Sequence, residues 1–164
     1  TATVIDSTDP DIPGLAEFLD SARPGDMLVV GWQATSTIST FGGLAATRTE
    51  HAGAVGLVID GWVRDLEEVR STALTVWARG TTPRSGKGRL AVTGIGEPTT
   101  VGGVTVTAGD QVVADATGIC VIGAADSTAA YEHARELQRR DELFRQGLAD
   151  GAGFGAARAS AGTM

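Results

Sequence analysis

Two unbroken apolar runs, Met27-Leu28-Val29-Val30-Gly31 and Val55-Gly56-Leu57-Val58-Ile59, constrain this chain more than any other feature. A strand that is covered on both faces reads as a continuous apolar run, and parallel sheets are built from such strands. Between the two runs, Phe41-Gly42-Gly43-Leu44 opens a helix that reaches about His51, and Gly53 stops it. Strand, helix, strand is the β-α-β unit, so an α/β fold with buried parallel strands is expected. A short helix over Asp65–Ser71, acidic at its start as the dipole favours, leads to a third strand over Leu74–Ala78.

The flanking segments follow from the same periodicities. Residues 1–6 alternate and predict a strand, and Leu15, Phe18, Leu19 and Ala22 mark one face of a short helix. Residues 32–40 and 79–88 predict loops. From Leu90 the pattern turns to short strands at 90–95, 99–101, 104–106, 111–114 and 119–122, divided by Gly-Gly and Gly-Asp turns. Ser127 predicts an N-cap, and 131–148 is the strongest helical pattern. Pro24-Gly25-Asp26 and Ala108-Gly109-Asp110 are echoes of one turn, each feeding a strand. One domain is expected over residues 1–150, with a flexible Gly/Ala-rich tail over 151–164. The chain begins at Thr1 without Met, and a preceding segment is expected.

Composition narrows the chemistry. A net charge of −7 argues against neutralising phosphate backbones, so no nucleic-acid partner is expected. No apolar run has the roughly 18 residues that a membrane span needs. Cys120 is the single cysteine, which suits a reducing, cytoplasmic setting; its place mid-strand predicts a small core residue. His51 and His133 lie far apart in polar helical patterns and are expected on the surface. Lys87, the single lysine, sits in a Thr/Pro/Gly loop without the apolar pocket that Schiff-base chemistry requires. Gly80 to Gly88 approaches a phosphate-loop pattern but has one residue too many and no following Ser/Thr.

Polar residues gather where the second buried strand ends, in Asp60-Gly61-Trp62-Val63-Arg64-Asp65-Leu66-Glu67-Glu68. Open α/β sheets place ligands beyond the carboxyl ends of their strands. Arg64 beside Asp65, with Glu68 one helical turn on, offers a planar cation next to carboxylates. The same residues also read as an ordinary helix start with stray acids and an ion pair. Spacing alone leaves both open.

The ordered set Pro24-Gly25-Asp26, Phe41-Gly42-Gly43-Leu44, Asp60-Gly61, Val63-Arg64-Asp65, Trp77-Ala78-Arg79-Gly80, Gly102-Gly103-Val104, Gly109-Asp110, Ala114-Asp115 and Gly118 resembles the RraA-like family over roughly residues 20–150. That family holds metal-dependent 4-hydroxy-4-methyl-2-oxoglutarate (pyruvate) aldolases, oxaloacetate decarboxylases and regulators of ribonuclease E. The resemblance implies a layered β/β/α swivelling-type α/β domain, assembled as a homotrimer or hexamer with active sites at subunit interfaces. It implies a lyase that acts on a small 2-oxo acid through a metal-stabilised enolate, by aldol cleavage, decarboxylation or both. The alternatives are a regulator that binds a protein partner, or other metal-assisted chemistry.

Carried onto this sequence, the resemblance makes Arg64 and Asp65 catalytic. Asp65 and Glu68 would hold Mg²⁺ or Mn²⁺, and Arg64 would contact the substrate and its enolate. Backbone amides at Gly42, Gly43 and Leu44 would bind the substrate carboxylate, and a helix start is suited to anions. Asp141 or Glu142 is the expected acid from a neighbouring subunit. Gly43 stands where the aldolases carry an acid, so decarboxylation is expected to exceed aldol cleavage.

Overall fold

Both faces of the strand Met27–Trp32 (β2) are covered, which explains its unbroken apolar sequence. In the computed structural model, which describes residues 1–162, Leu28 and Val30 face a core shared with Phe18, Leu19, Ala46 and Val69. Those four residues come from three helices: α1 (Leu15–Asp20), α2 (Gly43–His51) and α3 (Leu66–Ser71). On the opposite face Gly31 lies against the hairpin of β7 (Thr99–Val101) and β8 (Val104–Val106); a Cβ there would sit 2.8 Å from the Thr100 carbonyl oxygen. Ribbon, sheet and helices form three layers, the layered α/β arrangement that was expected.

The central sheet runs β3-β4-β2-β1-β6, with β5 on the other edge of β4. Here β1 is Ala2–Asp6, β3 Ser39–Phe41, β4 Gly56–Val63, β5 Thr75–Thr81 and β6 Leu90–Thr93. All pairings are parallel except β1 with β6. The parallel core follows from the β-α-β connections read above.

Two expected loops, 32–40 and 79–88, are partly strand instead, for one reason. β4 is eight residues long, but β2 pairs only with its first half, Gly56–Ile59. Its overhanging end, Trp62–Val63, recruits Ser39 and Phe41 on one side and Gly80 and Thr81 on the other. Residues expected to be loop therefore become β3 and the end of β5.

The described residues fall into two compact units, one over Thr1–Gly109 and one from Asp110 onward. The second contains a hairpin of β9 (Gln111–Ala114) and β10 (Ile119–Ile122), then α4 (Ser127–Ala149) and α5 (Phe154–Ala161). The segment expected to be a flexible tail thus carries a helix. Phe154 meets Phe144 edge to face at 5.0 Å, and Gly147 lets α5 approach, since a Cβ there would lie 3.1 Å from that of Ala157. Ser127 is not the N-cap; Asp126 holds that position and the Ser127 hydroxyl donates to the Ala124 carbonyl at 2.9 Å. Cys120 is exposed rather than buried, because the two-stranded ribbon pairs it with Val113, itself 60% exposed. The two echoed turns share a cause: Gly25 and Gly109 both adopt positive φ, 86° and 99°.

Candidate active site

β4 ends by handing its backbone to α3, and the two linking residues are Arg64 and Asp65. The Arg64 amide donates to the Phe41 carbonyl at 3.0 Å, which ties the strand end to the segment that starts α2. Asp65 then turns left-handed, at φ 53° and ψ 47°, the one non-glycine residue with positive φ among the described residues. Aspartate tolerates this region better than most side chains, and such strain collects at functional sites.

That turn aims the Asp65 carboxylate at the start of α2. Its Oδ2 accepts the Gly43 amide at 3.3 Å and lies 3.3 Å from Arg64 Nε. Arg64 Nη1 donates to the Ser39 carbonyl at 3.4 Å. The pair is held yet reachable, with 26% of the Arg64 side chain and 42% of the Asp65 side chain exposed.

Glu68 approaches from the first turn of α3. A Cβ on Gly43 would lie 2.7 Å from the Glu68 Cβ and would overlap its carboxylate. A Cβ on Gly42 would overlap the Asp65 carboxylate and lie 2.9 Å from the Arg64 Cγ. The two glycines form a cradle that two carboxylates and a guanidinium share. Gly42, Gly43, Arg64, Asp65 and Glu68 therefore lie together. The Leu44 side chain projects outward, 85% exposed. In one respect the arrangement departs from expectation: the Gly43 amide is engaged by Asp65 rather than free for a substrate.

The remaining candidates lie on other elements. Asp141 and Glu142 lie on α4, 3.9 and 3.2 Å from Arg145 of the same helix. His51 and His133 are exposed, and Lys87 lies 4.0 Å from Asp11. No group of three or more His, Cys, Asp or Glu residues among the described residues is arranged to hold a metal ion by itself. Two residues missed as site components, Ser39 and Phe41, meet Arg64 through backbone carbonyls, which side-chain patterns do not reveal.

A family model described as RraA-like: Aldolase/RraA matches residues 1–121. The chain belongs to the RraA-like family. A Halalkalibacterium halodurans protein provisionally named 4-hydroxy-4-methyl-2-oxoglutarate aldolase is 29% identical over 129 residues, 79% of this chain and 61% of that protein's length. A Deinococcus radiodurans protein with the same provisional name is 34% identical over 112 residues, covering 68% of this chain and 69% of its own. Among solved structures, a Streptomyces coelicolor protein described as an unusual member of the RNase ES inhibitor RraA family is 27% identical. It superimposes with a TM-score of 0.77, covering 88% of this chain and 75% of its own. An uncharacterised Pseudomonas syringae protein has a TM-score of 0.84 at 22% identity, over 97% of this chain and 73% of its own, which supports the RraA-like fold. No described helix is long and apolar enough to cross a membrane.

Proposed function

We propose that this RraA-like chain is a divalent-metal-dependent carbon–carbon lyase acting on a small 2-oxo acid. The observation that carries the reading is the convergence of Asp65, Glu68 and Arg64 on the Gly42-Gly43 cradle, with Asp65 held left-handed to reach it. A pair of carboxylates suits Mg²⁺ or Mn²⁺, which take few protein ligands and complete their shell with water or substrate oxygens. Asp65 and Glu68 would hold the cation; when bound, it supplies Lewis acidity toward the keto and carboxylate oxygens.

The chain's own groups do the rest. Arg64 keeps a fixed guanidinium beside Asp65, placed to meet negative charge that develops on the substrate oxygen as the C–C bond breaks. With the Gly43 amide engaged by Asp65, the Gly42 and Leu44 amides at the start of α2 would take the substrate carboxylate. In decarboxylation, the electrons of the breaking bond pass into the enolate and carbon dioxide leaves. In retro-aldol cleavage a base must also remove a hydroxyl proton.

The proposal extends to a homotrimer or hexamer in the cytoplasm, with sites at the subunit interfaces. Pyruvate release from oxaloacetate and from 4-carboxy-4-hydroxy-2-oxoadipate tests the chemistry. Turnover with Mg²⁺ that chelator abolishes, and that Asp65→Asn lowers at least 100-fold, is expected. The likeness to the Streptomyces RraA protein favours a second reading, a regulator that binds a protein partner. Absence of turnover on any 2-oxo acid would favour that reading.

A further inference from the structure

β4 and β5 do not run in simple register. Ile59 pairs with Ala78, but Trp62 pairs with Gly80, so β4 spends three residues where β5 spends two. This is a β-bulge, and the extra residue falls at Asp60–Gly61, opposite Arg79. Arg79 supplies what the ladder lacks there: its Nε donates to the Asp60 carbonyl at 3.0 Å and to Asp60 Oδ1 at 2.6 Å. Asp60 Oδ2 accepts the Gly102 amide at 2.9 Å, from the turn between β7 and β8. A single carboxylate, 14% exposed, thus pins β4, β5 and the covering hairpin.

The bulge decides where the candidate site lands. Carried on without it, the Ile59–Ala78 offset would pair Val63 with residue 82 rather than Thr81. One residue along a strand is about 3.3 Å. Where β4 takes up the shift, Arg64 and Asp65, which follow Val63 directly, move with it, and their hydrogen bonds to Phe41 and Gly43, at 3.0 and 3.3 Å, do not survive a displacement of that size. We propose that Asp60 and Arg79 form a positioning pair that fixes the bulge and thereby sets Arg64 and Asp65 against the start of α2. The role concerns this site and, for catalysis, rests on the lyase reading; its structural part does not.

Arg79→Met keeps the side-chain stem and removes the donors, and Arg79→Lys restores a donor. Amide hydrogen exchange by NMR on the full chain provides a readout independent of activity. In Arg79→Met, protection at the Gly43 and Arg64 amides is expected to fall at least tenfold while Leu57 and Val58 keep theirs, and Arg79→Lys is expected to recover part of it. Unchanged protection at Gly43 and Arg64 would overturn the proposal, as would an equal loss throughout the sheet, which would mark Arg79 as merely structural. In the pyruvate-release assay, kcat is expected to fall at least tenfold in Arg79→Met with KM within a factor of three. A fall confined to KM would overturn the catalytic part. Failure of the lyase reading is distinguishable, because wild-type protein would then release no pyruvate while the exchange pattern still reports on the pair.

Discussion

Gly43 tests the cradle most directly, because two opposing effects meet there. Its φ is not in the left-handed region, so alanine fits the backbone. Replacing glycine by alanine within a helix is favourable by about 0.8–1.0 kcal/mol. Against this stands Glu68, whose Cβ would lie 2.7 Å from the new methyl group, about 0.7 Å inside the 3.4 Å where ordinary contact begins. Rotating the Glu68 side chain moves its carboxylate away but not its Cβ, which the α3 backbone holds. Overpacking of this kind costs roughly 1–3 kcal/mol. Gly43→Ala is therefore expected to destabilise by up to about 2 kcal/mol, a fall in Tm of about 2–4 °C per kcal/mol at this chain length. In a Glu68→Gly background the obstacle is gone, and Gly43→Ala should stabilise by up to about 1 kcal/mol. Urea unfolding of the four proteins at one protein concentration completes the cycle, with an expected coupling of roughly 1–3 kcal/mol. Additivity within about 0.5 kcal/mol would refute the placement of Glu68 over Gly43.

Other consequences follow from separate parts of the chain. The Glu136 carboxyl is held down to about 2, from an ordinary 4.5, by hydrogen bonds from Arg139 and then Arg140. A depressed carboxyl contributes above its unfolded pKa and loses that contribution as pH falls through the folded one. The Glu136 brace on α4 should therefore be intact above pH 4.5 and lost toward pH 2, read as the carboxyl ¹³C shift, and a midpoint near 4.5 would refute it. Gly61→Ala places a methyl group 2.6 Å from Trp32 Cδ2, in a ring already packed edge to face on Trp62 at 5.6 Å. A loss of about 1–3 kcal/mol in thermal unfolding is expected.

What the sequence revealed and what it hid divide along a physical line. β2, α2 and β4 were legible because continuous apolar runs and a glycine stop are local signals. β3 was not, since Ser39–Phe41 becomes a strand only because β4 overhangs β2, a matter of relative lengths in three dimensions. The grouping of Arg64 with Asp65 was visible in the chain, but its aim was not. That depends on a left-handed aspartate and on a bulge whose second half, Arg79, lies 19 residues from Asp60. Cys120 misled because a mid-strand position implies burial only where a further layer covers the strand.

The apparent gap at Gly43 also changes meaning once the fold is known. Read along the chain, a glycine there removes the acid that the aldolases carry, and Gly43→Asp or Gly43→Glu would be expected to restore aldol cleavage. In the folded protein the Glu68 side chain already occupies that space, so a new acid at 43 would compete with Glu68 instead of adding to it. If Glu68 supplies the base that retro-aldol cleavage needs instead of holding the cation, Glu68→Gln should lower aldol cleavage by the 10²–10⁴-fold typical of a lost base. Decarboxylation, which needs no proton removed, should fall far less. Gly43→Asp should then help only in a Glu68→Gly background, where the volume is free. Parallel pyruvate-release assays on oxaloacetate and on 4-carboxy-4-hydroxy-2-oxoadipate separate the cases. An equal fall in both reactions for Glu68→Gln would place Glu68 with the cation alone and the base elsewhere. A gain from Gly43→Asp with Glu68 intact would show that the cradle opens wider than its two carboxylates now leave it.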